Sequence, residues 1–336
     1  MKSLIQKLVE TPGPSGYEAP IRAVVQAEIE PLADELRVDN LGNLIVRQGK
    51  KGPNGLRIML AAHIDEIGLI ATHIDDHGFA RFLPVGGVRP AACLGSRVRF
   101  LNGAAGVIGV ERLSDLSKVP SFEQMFIDLG VSSRAECPVG VGDVAVFERP
   151  YQEVGRRVVA KALDDRIGVA ILVETLRQLQ TQKPASPHEI YFVFSVQEEV
   201  GVRGATTAAF GIDPDLGLAV DVTGTGDTPK GLKMEVGLGK GPAIKVRDQG
   251  LLADPRLVRW LVQTAEKAGL PYQMEILERG YTDARAIQLA RAGVPAGCIS
   301  VPARYIHTPS EMVDLDDTHN AVRLLVEFLR KPVALE

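Results

Sequence analysis

Cysteine is scarce: Cys93, Cys137 and Cys298 are three widely spaced residues in a chain of 336. An odd, dispersed set argues against a disulfide framework and a thiolate-only metal site, and fits a reducing compartment. Aromatic residues reach only 5%, with a single Trp, which offers no special platform for stacking sugars. An excess of either charge is also missing. The 38 Lys and Arg face 42 Asp and Glu, a net charge of −4, so nothing general drives the chain onto nucleic acid or an acidic membrane. No apolar run approaches the roughly 18 residues of a membrane span, and residues 1–11 lack the apolar region and cleavage site of a secretory signal. The expectation is a cytoplasmic protein without nucleic-acid or membrane partners.

What is present is ample core material. Hydrophobic residues make up 45% of the chain, spread over many short segments, and the length predicts about two domains at roughly 150 residues each. Residues 2–10 predict a short helix. Within 17–36, Ile21, Val24, Val25, Ile29 and Leu32 recur at helical spacing. Strands follow at 44–46 and 56–62, the second apolar except for Arg57 and ending directly at His63. Such continuous hydrophobicity suits a strand covered on both faces of an α/β sheet. Residues 48–55, with three glycines and a proline, predict an exposed turn.

From about residue 74 to 160, short Val- or Phe-rich segments broken by glycine predict an inserted β-rich, barrel-like domain. Alternation then resumes, with helices at 164–180, 203–210, 255–269, 282–292 and 316–332 and strands at 190–196, 216–220 and 298–301. The fold class expected is α/β: a mostly parallel-sheet domain from 1–73 and 161–336, interrupted by the β-rich domain at 74–160.

Four strand candidates empty into residues that can bind metal: Ala62-His63-Ile64-Asp65, Val196-Gln197-Glu198-Glu199, Ala219-Val220-Asp221 and Arg304-Tyr305-Ile306-His307. The C-terminal edges of parallel strands share one crevice, so residues distant in sequence become neighbours there. A fifth element, Lys161-Ala162-Leu163-Asp164-Asp165-Arg166, opens a helix. Two imidazoles with several carboxylates suit zinc, cobalt or manganese. Each piece also has a plainer reading. His63 and His307 could be hydrogen-bonded histidines at strand ends, Asp164 and Asp165 helix caps, and Asp221 an Asx turn with Thr223. Glu198-Glu199 is more telling, because adjacent like charges after an apolar run are costly unless solvent, a cation or protonation relieves them. His319 beside Asp316 and Asp317 reads as a surface cap, and His73 and His77 around Asp75 and Asp76 as turn residues.

Taken in order, Pro12-Gly13-Pro14-Ser15-Gly16-Tyr17-Glu18, His63 to Gly68, Lys161 to Arg166, Val196 to Gly201, Ala219 to Thr223 and Arg304 to Glu311 resemble the signatures of the TET-type, or glutamyl and deblocking, aminopeptidases. That family of dinuclear metallopeptidases includes relatives labelled endoglucanase. The resemblance implies two divalent ions per subunit, zinc or cobalt with manganese as a further option. His63, Asp164 and Asp221 would hold one, and Asp164, Glu199 and His307 the other, with Asp164 bridging. Glu198 would be the general base, and Asp65 would orient His63 from behind. It further implies hydrolysis of N-terminal residues from short peptides, and homo-oligomers extending to a tetrahedral dodecamer built from dimers. Gly280-Tyr281-Thr282-Asp283-Ala284 departs from the family pattern, with Tyr281 in place of a second glycine. Two rivals stand beside this reading: a metal-independent endoglucanase using paired carboxylates, and a non-catalytic peptide-binding or assembly protein.

Overall fold

Pro20 opens and Pro31 closes the first long helical pattern, so the span read as 17–36 divides in the structure. A helix runs over Ala19–Ile29 and a 3-10 turn over Glu30–Leu32, and the chain then enters strand β1 (Glu35–Val38). This computed structural model describes residues 1–336 apart from 114, 116, 183–185 and 333–336. After β1 come β2 (Leu44–Gln48) and β3 (Arg57–His63). Six strands follow: β4 (Gly68–Ile74), β5 (Ala80–Val85), β6 (Arg97–Phe100), β7 (Ala105–Val110), β8 (Met125–Asp128) and β9 (Val144–Phe147). They close into an antiparallel barrel in the order β4-β5-β8-β7-β6-β9. The barrel buries its own core, including Leu69, Phe82, Val98, Phe100, Ile127 and Phe147.

The remaining strands are β10 (Gln152–Val154), β11 (Arg157–Ala160), β12 (Glu189–Ser195), β13 (Leu216–Thr223), β14 (Ala243–Arg247), β15 (Gln273–Ile276), β16 (Ala296–Arg304) and β17 (Glu311–Asp314). With β1 to β3 they build a sheet of 11 strands ordered β1-β2-β12-β3-β13-β16-β17-β11-β10, with β14 and β15 branching from β16. Its centre, β12-β3-β13-β16, is parallel, and antiparallel strands extend both sides. Helices Lys2–Glu10, Ala19–Ile29, Leu163–Gln182, Pro255–Lys267 and Leu315–Leu329 share one core with the sheet. Helices Arg203–Ile212 and Asp283–Gln288 pack into a second. Strands covered twice explain the fully buried run from Ile58 to His63.

The barrel strands span 68–147, whereas the texture of the sequence placed the insertion at 74–160. Strand β4 begins five residues after His63, across the short link Ile64-Asp65-Glu66-Ile67, and its own apolar texture does not mark the change of sheet. The hairpin β10-β11 pairs through β11 with β17 and so belongs to the large sheet. Short valine-rich segments between glycines do not reveal which sheet they join. No described helix is long and apolar enough to cross a membrane.

Candidate active site

Strand register brings the chemistry together. Ser195 on β12 pairs with His63 on β3, and Ala219 on β13 pairs with Ala61, so Asp221 and His63 lie two residues further along adjacent parallel strands. Cys298 on β16 pairs with Ala219, and the chain leaving β16 reaches His307. Asp164 comes from the start of helix Leu163–Gln182. Its backbone and that of Asp165 depart from helical angles, so the regular turns follow them. Ala162, Gln197, Tyr305 and His307 all adopt left-handed backbone conformations. Non-glycine residues rarely do so, and they concentrate where surrounding structure holds a functional loop in place.

The carboxylate of Asp164 lies between two imidazoles, one oxygen facing each. His63 Nε2 is 3.0 Å from Oδ1, and His307 Nε2 is 3.2 Å from Oδ2 and 3.3 Å from Glu199 Oε2. Metal-capable atoms of His63, Asp164 and Glu199 all fall within 4.8 Å of one another, as do those of His63, Asp165 and Asp221. His63, Asp164, Glu199 and Asp221 line one cavity of about 1120 Å³ together with Glu198, His307 and Tyr281, and Asp165 lies buried behind it. A separate apolar cavity of about 820 Å³ between Val246, Val258 and Val294 contains none of them.

Behind the cluster stands a layer of buried acceptors. Asp65 takes hydrogen bonds from the backbone N–H of Glu198 (3.0 Å) and Glu199 (3.2 Å) and from the Ser15 hydroxyl (2.6 Å). Its own carbonyl lies 3.1 Å from His63 Nδ1 and its Oδ1 3.5 Å from the same atom. Asp65 therefore contacts the glutamate loop as well as the imidazole. Glu311 accepts from the backbone N–H of Asp164 (2.9 Å) and of His307 (2.8 Å), tying two parts of the cluster that lie far apart in sequence. Asp165 accepts from the N–H of His63 (3.3 Å) and Gly168 (3.1 Å). Gly87 packs on the His307 ring so closely that a Cβ there would meet Nδ1 at 2.3 Å. Reading the sequence assigned no such role to Ser15, Asp165, Glu311 or Gly87. The first three lie inside the quoted motifs, which is the one signal that could have found them.

Electrostatics follow from burial. Loss of hydration, reinforced by neighbouring carboxylates, pushes Glu198 and Asp221 well above the usual carboxylate range, and Glu199 is raised for the same first reason. Burial works against ionisation of Asp164 too, but hydrogen bonds to His307 and His63 outweigh it and hold that carboxyl below its ordinary value. Burial pulls His307 down, yet Asp164 and Glu199 push it up to about 11. Glu198 Oε1 is buried without a hydrogen-bond partner. Two imidazoles held on a crowd of inward-facing carboxylates, with one oxygen left over, form a donor set that divalent cations satisfy.

Other expectations resolve locally. His73 and His77 are exposed, and Asp75 accepts from the N–H of His77 and Phe79, as a turn residue does. His319 is exposed, but Asp317 is not a surface cap. It is buried and accepts from Gly239 and Gly241 N–H at 2.7 Å each, which shapes the Gly239–Pro242 turn. The helix cap is Asp314, which accepts from Asp316 N–H. Tyr281 is 39% exposed with its ring against Arg285.

Residues 42–324 match the model of the M42 glutamyl aminopeptidase family. A relative from Acetivibrio thermocellus is 47% identical, covering 98% of both chains. An aminopeptidase from the archaeon Desulfurococcus kamchatkensis has a TM-score of 0.93 at 42% identity, covering 98% of this chain and 94% of that one. The Pyrococcus horikoshii TET1 peptidase, which can assemble into a tetrahedron or a large octahedral shell, has a TM-score of 0.88 at 34% identity and 98% coverage of both chains. Each of these similarities spans the large sheet and the barrel alike. The chain belongs to the M42 glutamyl aminopeptidase family and is a metal-dependent aminopeptidase.

Proposed function

We propose that the enzyme removes N-terminal residues from short peptides with two divalent ions, one held by His63, Asp164 and Asp221 and the other by Asp164, Glu199 and His307. The observation that carries this reading is the Asp164 carboxylate, which offers a separate oxygen to each histidine. Bound divalent cations supply Lewis acidity, polarising the scissile carbonyl and making water acidic enough to attack near neutral pH. Glu198 is the general base. Its carboxylate takes a proton from the attacking water as the C–O bond forms, then delivers one to the departing amine nitrogen as C–N breaks. A carboxyl whose proton affinity is raised by burial suits both halves of that exchange. Asp65 and Ser15 keep the Glu198-Glu199 backbone in place, and Glu311 keeps Asp164 and His307 together.

Dialysis against a chelator is expected to abolish release of p-nitroaniline from aminoacyl-p-nitroanilides, and zinc, cobalt or manganese to restore it. Full activity in chelated enzyme, or metal-indifferent cleavage of soluble cellulose, would overturn the reading. The histidine pair weighs against the glycosidase alternative, which has no use for two imidazoles shared by one carboxylate. Glu311→Gln replaces an acceptor of two backbone N–H groups by an amide that can oppose only one with oxygen. Metal affinity is expected to weaken about 10- to 100-fold, measured by competition with a chromophoric chelator. An affinity equal to wild type would show that Glu311 does not hold the ligands.

We further propose that the chain forms a homo-oligomer, up to a tetrahedral dodecamer, with the barrel providing contacts between subunits and restricting access. The assembly of the TET1 neighbour supports this, and so do exposed Leu83, Leu94, Leu101, Val107 and Val141 on the barrel segment.

A further inference from the structure

Beyond its acidic floor, the active-site cavity is lined by groups of opposite sign. Lys230 and Lys233 lie on the loop between β13 and β14, Arg279 directly precedes Gly280-Tyr281, and Arg89 follows Gly87 by two residues. All four are exposed, and among the described residues none forms a side-chain ion pair or hydrogen bond. The cavity's other cations are spoken for: Arg304 pairs with Asp227, and Lys245 with Glu275. Outside the metal-capable cluster and Glu198, Glu278 is the one described carboxylate that lines it. Four unpaired cations against one anion is a marked local reversal in a chain whose net charge is −4.

The fold holds these cations where they are. Arg304 Nε and Nη2 reach Asp227 at 3.0 and 2.7 Å, and Asp227 also accepts from Leu238 N–H at 3.0 Å, which closes the loop that presents both lysines. Arg304 stands three residues before His307, so that loop and the histidine share one strand end. Gly86 lies against Glu199 and Gly87 against His307, which places the start of the Arg89 segment on the cluster itself.

A peptide whose cationic amine is drawn to the acidic floor turns the rest of its length toward this rim. We propose that Lys230, Lys233, Arg279 and Arg89 form a wall that binds a substrate carboxylate, so that the enzyme favours short peptides carrying one close to the scissile bond. The carboxylate has two sources, the free C-terminus of a short peptide or an acidic side chain. This inference rests on the aminopeptidase reading and adds a substrate class to it.

The test uses the full-length, metal-loaded enzyme. One arm compares Ala-Ala-Ala with its C-terminal amide. The other compares Ala-Glu-Ala amide with Ala-Gln-Ala amide. In at least one arm the carboxylate member is expected to have a kcat/KM on the order of tenfold higher, about 1.4 kcal/mol. That ratio should collapse in about 1 M salt, where the screening length is about 3 Å. It should also fall toward one in Lys230→Gln/Lys233→Gln and in Arg279→Gln. A ratio of one in both arms, or a preference that survives salt and all variants, overturns the proposal while leaving the aminopeptidase reading intact. Failure to cleave any of the four peptides overturns both.

Discussion

Glu198→Gln is expected to lower kcat by about 10²- to 10⁴-fold while leaving the metal content of the subunit at the wild-type level. Glutamine has the size of glutamate and keeps a carbonyl oxygen, but it cannot take a proton from water at neutral pH. The loop stays in place, because it is held through the backbone: Asp65 accepts the N–H of residue 198 at 3.0 Å, a bond indifferent to that side chain. Folding is not threatened either. Burial disfavours the Glu198 charge, His63 favours it, and Asp221, Asp283 and Glu199 repel it; the balance is against the charge, so an uncharged amide is tolerated there. Metal retention follows from the geometry, since Glu199 and not Glu198 groups with His63 and Asp164. The expected signature is a large fall in kcat, little change in KM, and an unaltered metal-to-protein ratio. Turnover near that of wild type would remove Glu198 from the mechanism. A parallel loss of metal would make it a ligand instead.

Asp164→Asn is expected to do what Glu198→Gln does not: strip metal from the centre. Both carboxylate oxygens are in use, Oδ1 toward His63 and Oδ2 toward His307, at 3.0 and 3.2 Å. An amide supplies one oxygen and one N–H₂ group, which repels a cation, and it removes the negative charge that the two proposed ions would share. Occupancy should fall from two ions to at most one, and activity should fall at least as far as in Glu198→Gln. The two variants together separate the roles. One should keep metal without turnover, and the other should lose both. Equal metal content in wild type and Asp164→Asn would contradict a bridging position.

How much of this was legible in the sequence varied with the physics behind each feature. The strand ending at His63 was readable because a strand buried on both faces has no polar residue to interrupt it. Glu198-Glu199 was conspicuous because an acidic pair after an apolar run is costly without compensation. The short strands β14 and β15 escaped notice because each carries a charge into the interior. Lys245 and Glu275 pair with one another there, and Thr223 donates to Glu275 at 2.7 Å, but in sequence each resembles a loop residue. Ser15, Asp165 and Glu311 could not be ranked from residue type, because their partners lie many residues away: Ser15 donates to the Asp65 carboxylate, Asp165 accepts from His63 N–H and Glu311 from Asp164 N–H. The misplaced barrel boundary has a similar cause: strand partners are a property of the sheet, and the segment Arg157–Ala160 does not record that it pairs with Glu311–Asp314.

The most direct test of the account is anomalous X-ray diffraction from crystals of the cobalt-loaded enzyme, recorded on either side of the metal's absorption edge. Two anomalous peaks per subunit are predicted, one on each side of the Asp164 carboxylate, the first beside His63 and Asp221 and the second beside Glu199 and His307. A fully active enzyme with no peak in that cavity, or with a single peak that Asp164 does not touch, would contradict it.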